Sequence, residues 1–134
     1  MISTRGRYAI RVMIDIANNQ NDGYVPMKEV ASRQGLSLKY LEQILPALTR
    51  NRLVEGIQGK GGGYRLVRKP KEYTIGDILR ATEKDLAPVS CLAQGADGCE
   101  RRDKCQTINF WQGLNNVVNE YLDSQTLADL MKNK

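Results

Sequence analysis

The sequence predicts a mostly α-helical chain carrying one small β-hairpin, and three observations predict it. Three short segments between Ala9 and Leu48 repeat apolar residues at three- and four-residue intervals, the spacing of one helix face. A glycine cluster, Gly59-Lys60-Gly61-Gly62-Gly63, then joins two strand-like runs. Beyond Cys105 a longer segment bears a continuous apolar face. The pattern is that of a winged helix-turn-helix over residues 1–72, with residues 73–134 holding a cysteine loop and a long C-terminal dimerisation helix.

Ala9, Val12, Met13, Ile16 and Ala17 line one face of a first helix running from about Arg5 to Asn19. A second, short helix follows Pro26, with Met27, Val30 and Ala31 inward and Gly35 placed to end it. Ser37 caps a third helix whose buried stripe is Leu41, Ile44, Leu45 and Leu48. Two short helices broken at a glycine and restarted at a capping serine form a helix-turn-helix, whose second member enters the major groove. Ser37, Lys39, Tyr40 and Gln43 lie off the apolar stripe, in the turns that face bases. Gln43 can pair bidentately with adenine, and Ser37 and Tyr40 can donate to base edges or phosphates.

Leu53–Gln58 and Tyr64–Leu66 read as the two strands of a hairpin. Its glycine turn is a poor phosphate loop, because no Lys-Ser/Thr pair follows and it joins strand to strand. It is a good wing, with Lys60 at the tip and Arg65 and Arg68 behind. Next, Thr74 caps a short helix (Ile75, Ile78, Leu79), with Asp77 at the capping-box position. Pro88 breaks from helix to loop. From about Thr107 to Leu122 the apolar face is Ile108, Trp111, Leu114, Val118, Tyr121 and Leu122; a second copy of the chain is its expected cover, the alternative being its own domain. Thr126, with Asp129 three residues on, caps a last helix containing Leu127, Leu130 and Met131.

Charge supports a polyanion as partner. The net charge is +5, but residues 1–70 hold 12 Lys and Arg against 5 Asp and Glu, a balance of +7, and residues 71–134 hold 8 against 10, a balance of −2. The excess positive charge lies wholly in the half with the helix-turn-helix, as expected if that half lies on double-stranded DNA. No apolar run approaches the about 20 residues of a membrane span, and the amphipathic N-terminus lacks a secretory signal's features. The expectation is a cytoplasmic protein. With no histidine, no nucleophile–base pair and no nucleotide fingerprint, an enzyme is not expected.

The 3 cysteines, Cys91, Cys99 and Cys105, fall in the spacing C-x7-C-x5-C. Their neighbours include Gln94, Asp97, Glu100, Arg101, Arg102, Asp103 and Lys104, which is not core composition. An odd count in a reducing compartment points to metal or redox chemistry. Thiolates suit an iron–sulfur cluster, or zinc completed by water, and the adjacent cations also favour a redox-active thiol.

Several motifs in the same order match a known family: Ser3-Thr4-Arg5-Gly6-Arg7-Tyr8-Ala9, Ser37-Leu38-Lys39-Tyr40-Leu41-Glu42-Gln43, Gly61-Gly62-Gly63-Tyr64, Asp103-Lys104-Cys105, and the stretch from Thr126 to Leu130. Over essentially its whole length the sequence resembles the IscR-type bacterial regulators. The resemblance implies a homodimer on a two-half-site operator and a [2Fe–2S] cluster held by Cys91, Cys99 and Cys105 over a loop of about 89–106. It implies that cluster occupancy selects DNA sites, and that the genes controlled serve iron–sulfur cluster assembly. It places Ser3, Thr4, Arg5, Arg7, Ser37, Lys39, Tyr40, Gln43, Gln58 and Lys60 at DNA, with Glu42 tuning selectivity. Two departures stand out. Where the cluster-binding subtype has its histidine ligand there is Ile108, so Asn109, Asp103, Glu100, a partner carboxylate or a small molecule is left as fourth ligand. The wing position usually held by arginine is Gln58, so the expected minor-groove contact shifts to Lys60 or weakens. The family also has cluster-free members that sense a metabolite, thiol oxidation or a partner protein.

Overall fold

In the computed structural model, residues 2–93 and 104–132 are described. The order is α1 (Thr4–Asn19), α2 (Met27–Gln34), α3 (Leu38–Arg50), β1 (Val54–Ile57), β2 (Gly63–Leu66), α4 (Ile75–Thr82), α5 (Ile108–Ser124) and α6 (Leu127–Met131). Short 3-10 turns at Pro70–Glu72 and Ser90–Leu92 flank α4. Among the described residues no helix is long and apolar enough to cross a membrane.

The helix boundaries follow local chemistry. Ser3 caps α1 through its side chain, which accepts from the Gly6 N–H, and Ser37 does the same for Tyr40 on α3. Gly35 ends α2 in the left-handed region (φ 66°), the turn on which the helix-turn-helix depends. Thr74 with Asp77, and Thr126 with Asp129, form the two expected capping boxes. Pro46 sits inside α3. It lacks the N–H that would reach the Glu42 carbonyl, yet the helix continues to Arg50 because Ile44, Leu45, Ala47 and Leu48 are buried around it.

β1 and β2 pair antiparallel, Val54 opposite Leu66 through Ile57 opposite Gly63. Val25 adds an isolated antiparallel bridge to β2, its N–H and C=O bonded to Tyr64 at 2.8 and 3.0 Å. Gly63 permits that approach: its φ is 148°, and a Cβ there would collide with the Val25 backbone. At the hairpin's root, Tyr73 is wholly buried. Its hydroxyl donates to the Leu53 carbonyl at 2.6 Å and accepts from the Val67 and Arg68 N–H groups at 3.0 and 2.9 Å.

One core runs through these elements. Ala9, Val12, Met13 and Ile16 of α1 meet Leu41, Ile44 and Leu48 of α3, Ile78 and Leu79 of α4, Leu122 of α5 and Leu127 of α6. α4 lies between α1 and α5 and is fastened to α5 by Arg80, which donates to Asp123 at 2.7 and 3.0 Å and to Asn119 at 2.9 Å.

The apolar face read from sequence on α5 divides in two. Ile108, Trp111, Val118 and Leu122 turn toward cover, and Val118 and Leu122 pack on the core. Leu114 and Tyr121 turn outward with Phe110 and Val117, exposed by 36, 64, 66 and 62% respectively. The outward residues 110, 114, 117 and 121 are spaced four, three and four apart, the seam of a paired helix. The two stripes run side by side, and a face count from sequence merges them.

Candidate nucleic-acid interface and cysteine segment

The N-terminal turns of α1 and α3 present most of the candidate DNA residues. Ser3, Thr4, Arg5 and Arg7 are exposed at the start of α1, around buried Gly6. Ser37, Lys39, Glu42 and Gln43 are exposed on α3. Ser37 keeps its hydroxyl proton available, because in the cap it acts as acceptor from the Tyr40 N–H at 3.0 Å. Tyr40 is only half-exposed. Its ring meets Tyr8 edge to face at 5.8 Å, and Arg11 lies over the Tyr8 ring at 4.8 Å. Arg11 is itself held by Gln34, through side chain and backbone, at 3.0 and 2.8 Å. Tyr8 and Arg11 thus set the posture of Tyr40, a candidate reading residue. The sequence offered only a weak signal for that, aromatic and basic side chains one turn apart on α1.

Gln58 and Lys60 are exposed on the wing loop, beyond the last rung of the hairpin. The two arginines expected behind them are engaged elsewhere. Arg65 donates to Glu55 at 2.6 Å and stacks over Tyr24 at 4.6 Å, and Arg68 stacks over Tyr73 at 4.5 Å. The Glu55 hydrogen bond, foremost, raises the Arg65 pKa above its ordinary value. Among the described residues, Lys60 is the one basic side chain expected on the wing that has no such engagement.

The cysteine segment joins α4 to α5. Cys91 is half-buried in the 3-10 turn Ser90–Leu92, and Cys105 is half-buried just before α5 with its sulfur 3.4 Å from the Thr107 hydroxyl. Cys99, Glu100 and Asp103 lie outside the described residues. Among the described residues, no three Cys, His, Asp or Glu side chains gather as a metal-binding group. Ile108 opens α5 half-buried and has no donor atom. Beside this segment is a cavity of about 250 Å³, lined by residues that include Arg80, Glu83, Leu92, Asn115 and Asn119.

Comparison with known proteins agrees with this architecture. The Rrf2 family model, described as an iron-dependent transcriptional regulator, matches residues 2–133. The HTH-type transcriptional regulator IscR of Pectobacterium carotovorum subsp. carotovorum (strain PC1) is 36% identical over 133 residues, covering 99% of this chain and 80% of that protein. Among solved structures, CymR, the global cysteine regulator of B. subtilis, superposes with a TM-score of 0.81 at 36% identity, covering 100% of this chain and 98% of the other. The IscR of T. potens gives 0.77 at 36% identity, covering 98% and 86%. These relatives are regulators and not enzymes. The exposed helix-turn-helix, the basic wing and these full-length matches together make the chain a member of the Rrf2 family, a DNA-binding transcriptional regulator of the IscR type.

Proposed function

We propose that the protein is a cytoplasmic homodimer whose choice of operator is set by a [2Fe–2S] cluster on Cys91, Cys99 and Cys105. Residues 1–72 supply the grip on duplex DNA, and residues 73–134 supply its control. In each protomer Ser3, Thr4, Arg5, Arg7, Ser37, Lys39, Tyr40, Gln43, Gln58 and Lys60 contact one half-site, and Glu42 adjusts which sequences are accepted. The genes controlled are those of iron–sulfur cluster assembly, by analogy with the IscR relatives. The observation that carries this reading is the position of the three cysteines on the one segment that links α4, packed on the reading head, to α5.

The donor chemistry fits. Thiolates are soft ligands for iron, and the Thr107 hydroxyl beside the Cys105 sulfur is the kind of hydrogen-bond partner that tunes such a ligand. When bound, the cluster would supply one-electron redox chemistry and a dependence on iron and sulfide supply. The chain's own part is to bracket it between α4 and α5 and to hold two of the thiols half-buried. Ile108 takes no part, so the fourth ligand is not an imidazole.

Protein purified without oxygen should contain iron and sulfide, and should absorb visible light. Its operator preference should differ from that of the Cys91→Ala/Cys99→Ala/Cys105→Ala variant. Identical preferences would sink the coupling. The close superposition on CymR supports a second reading, a cluster-free regulator that senses a metabolite, thiol oxidation or a partner protein. Colourless protein after anaerobic reconstitution would favour it.

A further inference from the structure

We infer that Glu83 is a positioning residue that sets, from the head of the cysteine segment, the posture of the DNA-facing end of α1. The inference rests on the proposed contacts of Ser3, Thr4, Arg5 and Arg7 with DNA.

Glu83 is the residue at which α4 stops. Its backbone N–H still bonds the Leu79 carbonyl at 2.7 Å, but its φ and ψ of −96° and 144° are extended, and the chain leaves from it toward Cys91. Its side chain crosses to α1. There Oε1 accepts from both the backbone N–H and the hydroxyl of Ser3, each at 2.8 Å. The same Ser3 oxygen accepts from the Gly6 N–H at 3.2 Å. The α1 cap is thus a relay, Glu83 to Ser3 to Gly6, in which the carboxylate fixes the rotamer of the capping hydroxyl. Gly6 is shaped for it, because a Cβ there would collide with the Glu83 carboxylate and crowd Leu79.

Charge supports the same assignment. The positive end of a helix favours a nearby anion, and α1 has no acidic residue in its first turn, where Arg5 adds further positive charge. Glu83 supplies that anion from 80 residues away in sequence.

The position of Glu83 also links it to the cysteines. It lines the same cavity as Leu92, the neighbour of Cys91. Three residues earlier on α4, Arg80 holds Asp123 and Asn119 of α5. Rearrangement of the Cys91 turn therefore acts on a short stretch of chain whose ends grip α5 and the tip of α1. If Glu83 withdraws, Ser3 loses its partner, the first turn of α1 frays, and Thr4, Arg5 and Arg7 lose their fixed bearing.

The test uses full-length protein and DNA fragments selected from a random pool by the wild type. Glu83→Ala and Ser3→Ala should each weaken binding about tenfold, which corresponds to about 1.4 kcal/mol, within the range of a lost helix cap. The double variant should be no weaker than Ser3→Ala alone, because Glu83 acts through Ser3. Hydrogen exchange in the first turn of α1 should speed up in Glu83→Ala and be largely restored in Glu83→Gln, which keeps the acceptor oxygen. Alkylating the cysteines with iodoacetamide should speed the same amides in the wild type but add nothing in Glu83→Ala. Unchanged exchange in Glu83→Ala, fully additive losses, or alkylation effects that persist without Glu83 would each overturn the inference. If Lys39→Ala weakens binding and Glu83→Ala does not, the inference alone fails. If the wild type selects no fragment, the DNA contacts fail, and hydrogen exchange still decides the role of Glu83.

Discussion

Arg33 of α2 forks onto the buried carboxylate of Asp15 on α1, with Nη2 at 2.8 Å from Oδ1 and Nε at 3.1 Å from Oδ2. Gln34 donates to the same carboxylate at 2.9 Å, and Asn19 more weakly at 3.4 Å. The Asp15 hydrogen bond, foremost, raises the Arg33 pKa above its ordinary value, so the guanidinium stays charged throughout the working pH range. This fork welds α1 to α2 one residue before the Gln34–Gly35 turn of the helix-turn-helix. Asp15→Ala leaves those donors without their charged acceptor, and such bonds contribute about 1.5–3 kcal/mol. Urea denaturation at neutral pH should show a loss of about 2 kcal/mol, and a change under about 0.5 kcal/mol would contradict the assignment.

Lys39 and Gln43 share one exposed face of α3 and should fail differently. Lys39→Ala, removing a phosphate partner, should weaken all sequences alike and lower the slope of log affinity against log salt by about 1. Gln43→Ala should relax the preference at one base pair by about 1–3 kcal/mol. Fluorescence anisotropy across salt, on matched and singly substituted duplexes, separates them. A sequence-selective effect from Lys39→Ala would reverse the roles.

In the proposed homodimer the outward stripe on α5 faces the second copy. Val117→Asp places a charge in the middle of the 110–114–117–121 seam, where its desolvation is costly. Sedimentation should find monomers at micromolar concentration, and operator binding should fall at least tenfold. Because Val117 is 62% exposed in the single chain, the monomer's far-ultraviolet spectrum should not change. A variant that remains dimeric would show that the copies meet elsewhere.

Asp129 gives a pH signature. Hydrogen bonds from the Thr126 N–H and then its hydroxyl, with Lys132 adding attraction, hold this carboxyl below the ordinary aspartate range. A carboxyl whose folded pKa is depressed stabilises the fold above its unfolded value, and loses that contribution as pH falls through the folded one. Wild type should therefore melt above Asp129→Asn at neutral pH, and the gap should close as pH drops below about 4. A gap that widens with acid would refute the cap's charge dependence.

How much of this could be read from the chain follows from the range of each interaction. Helix caps at Ser37, Thr74 and Thr126 join residues three apart, and the wing follows from one glycine cluster, so all were legible. The Ser3–Glu83 bond spans 80 positions, and nothing local at either residue announces it. Tyr8 against Tyr40 and Arg65 against Tyr24 are likewise products of packing. On α5 the periodicity was right and the face was wrong in part. Two apolar stripes one position apart look like one broad stripe until α4 occupies the first. The cysteines stand out in the sequence as candidate ligands, while their joint arrangement depends on Cys99, outside the described residues.

Tyr73 has a consequence for how such a protein could change its mind about a sequence. Its single hydroxyl pins the start of one strand of the hairpin and the residues just beyond the other to the same point in the core. The prong that carries Lys60 is thereby a fixed jaw, and the span between it and the α3 tip behaves like a locked caliper. On the proposed function, a change in site choice would then come from the α1 tip or from swivelling each caliper against its twin, and not from the wing.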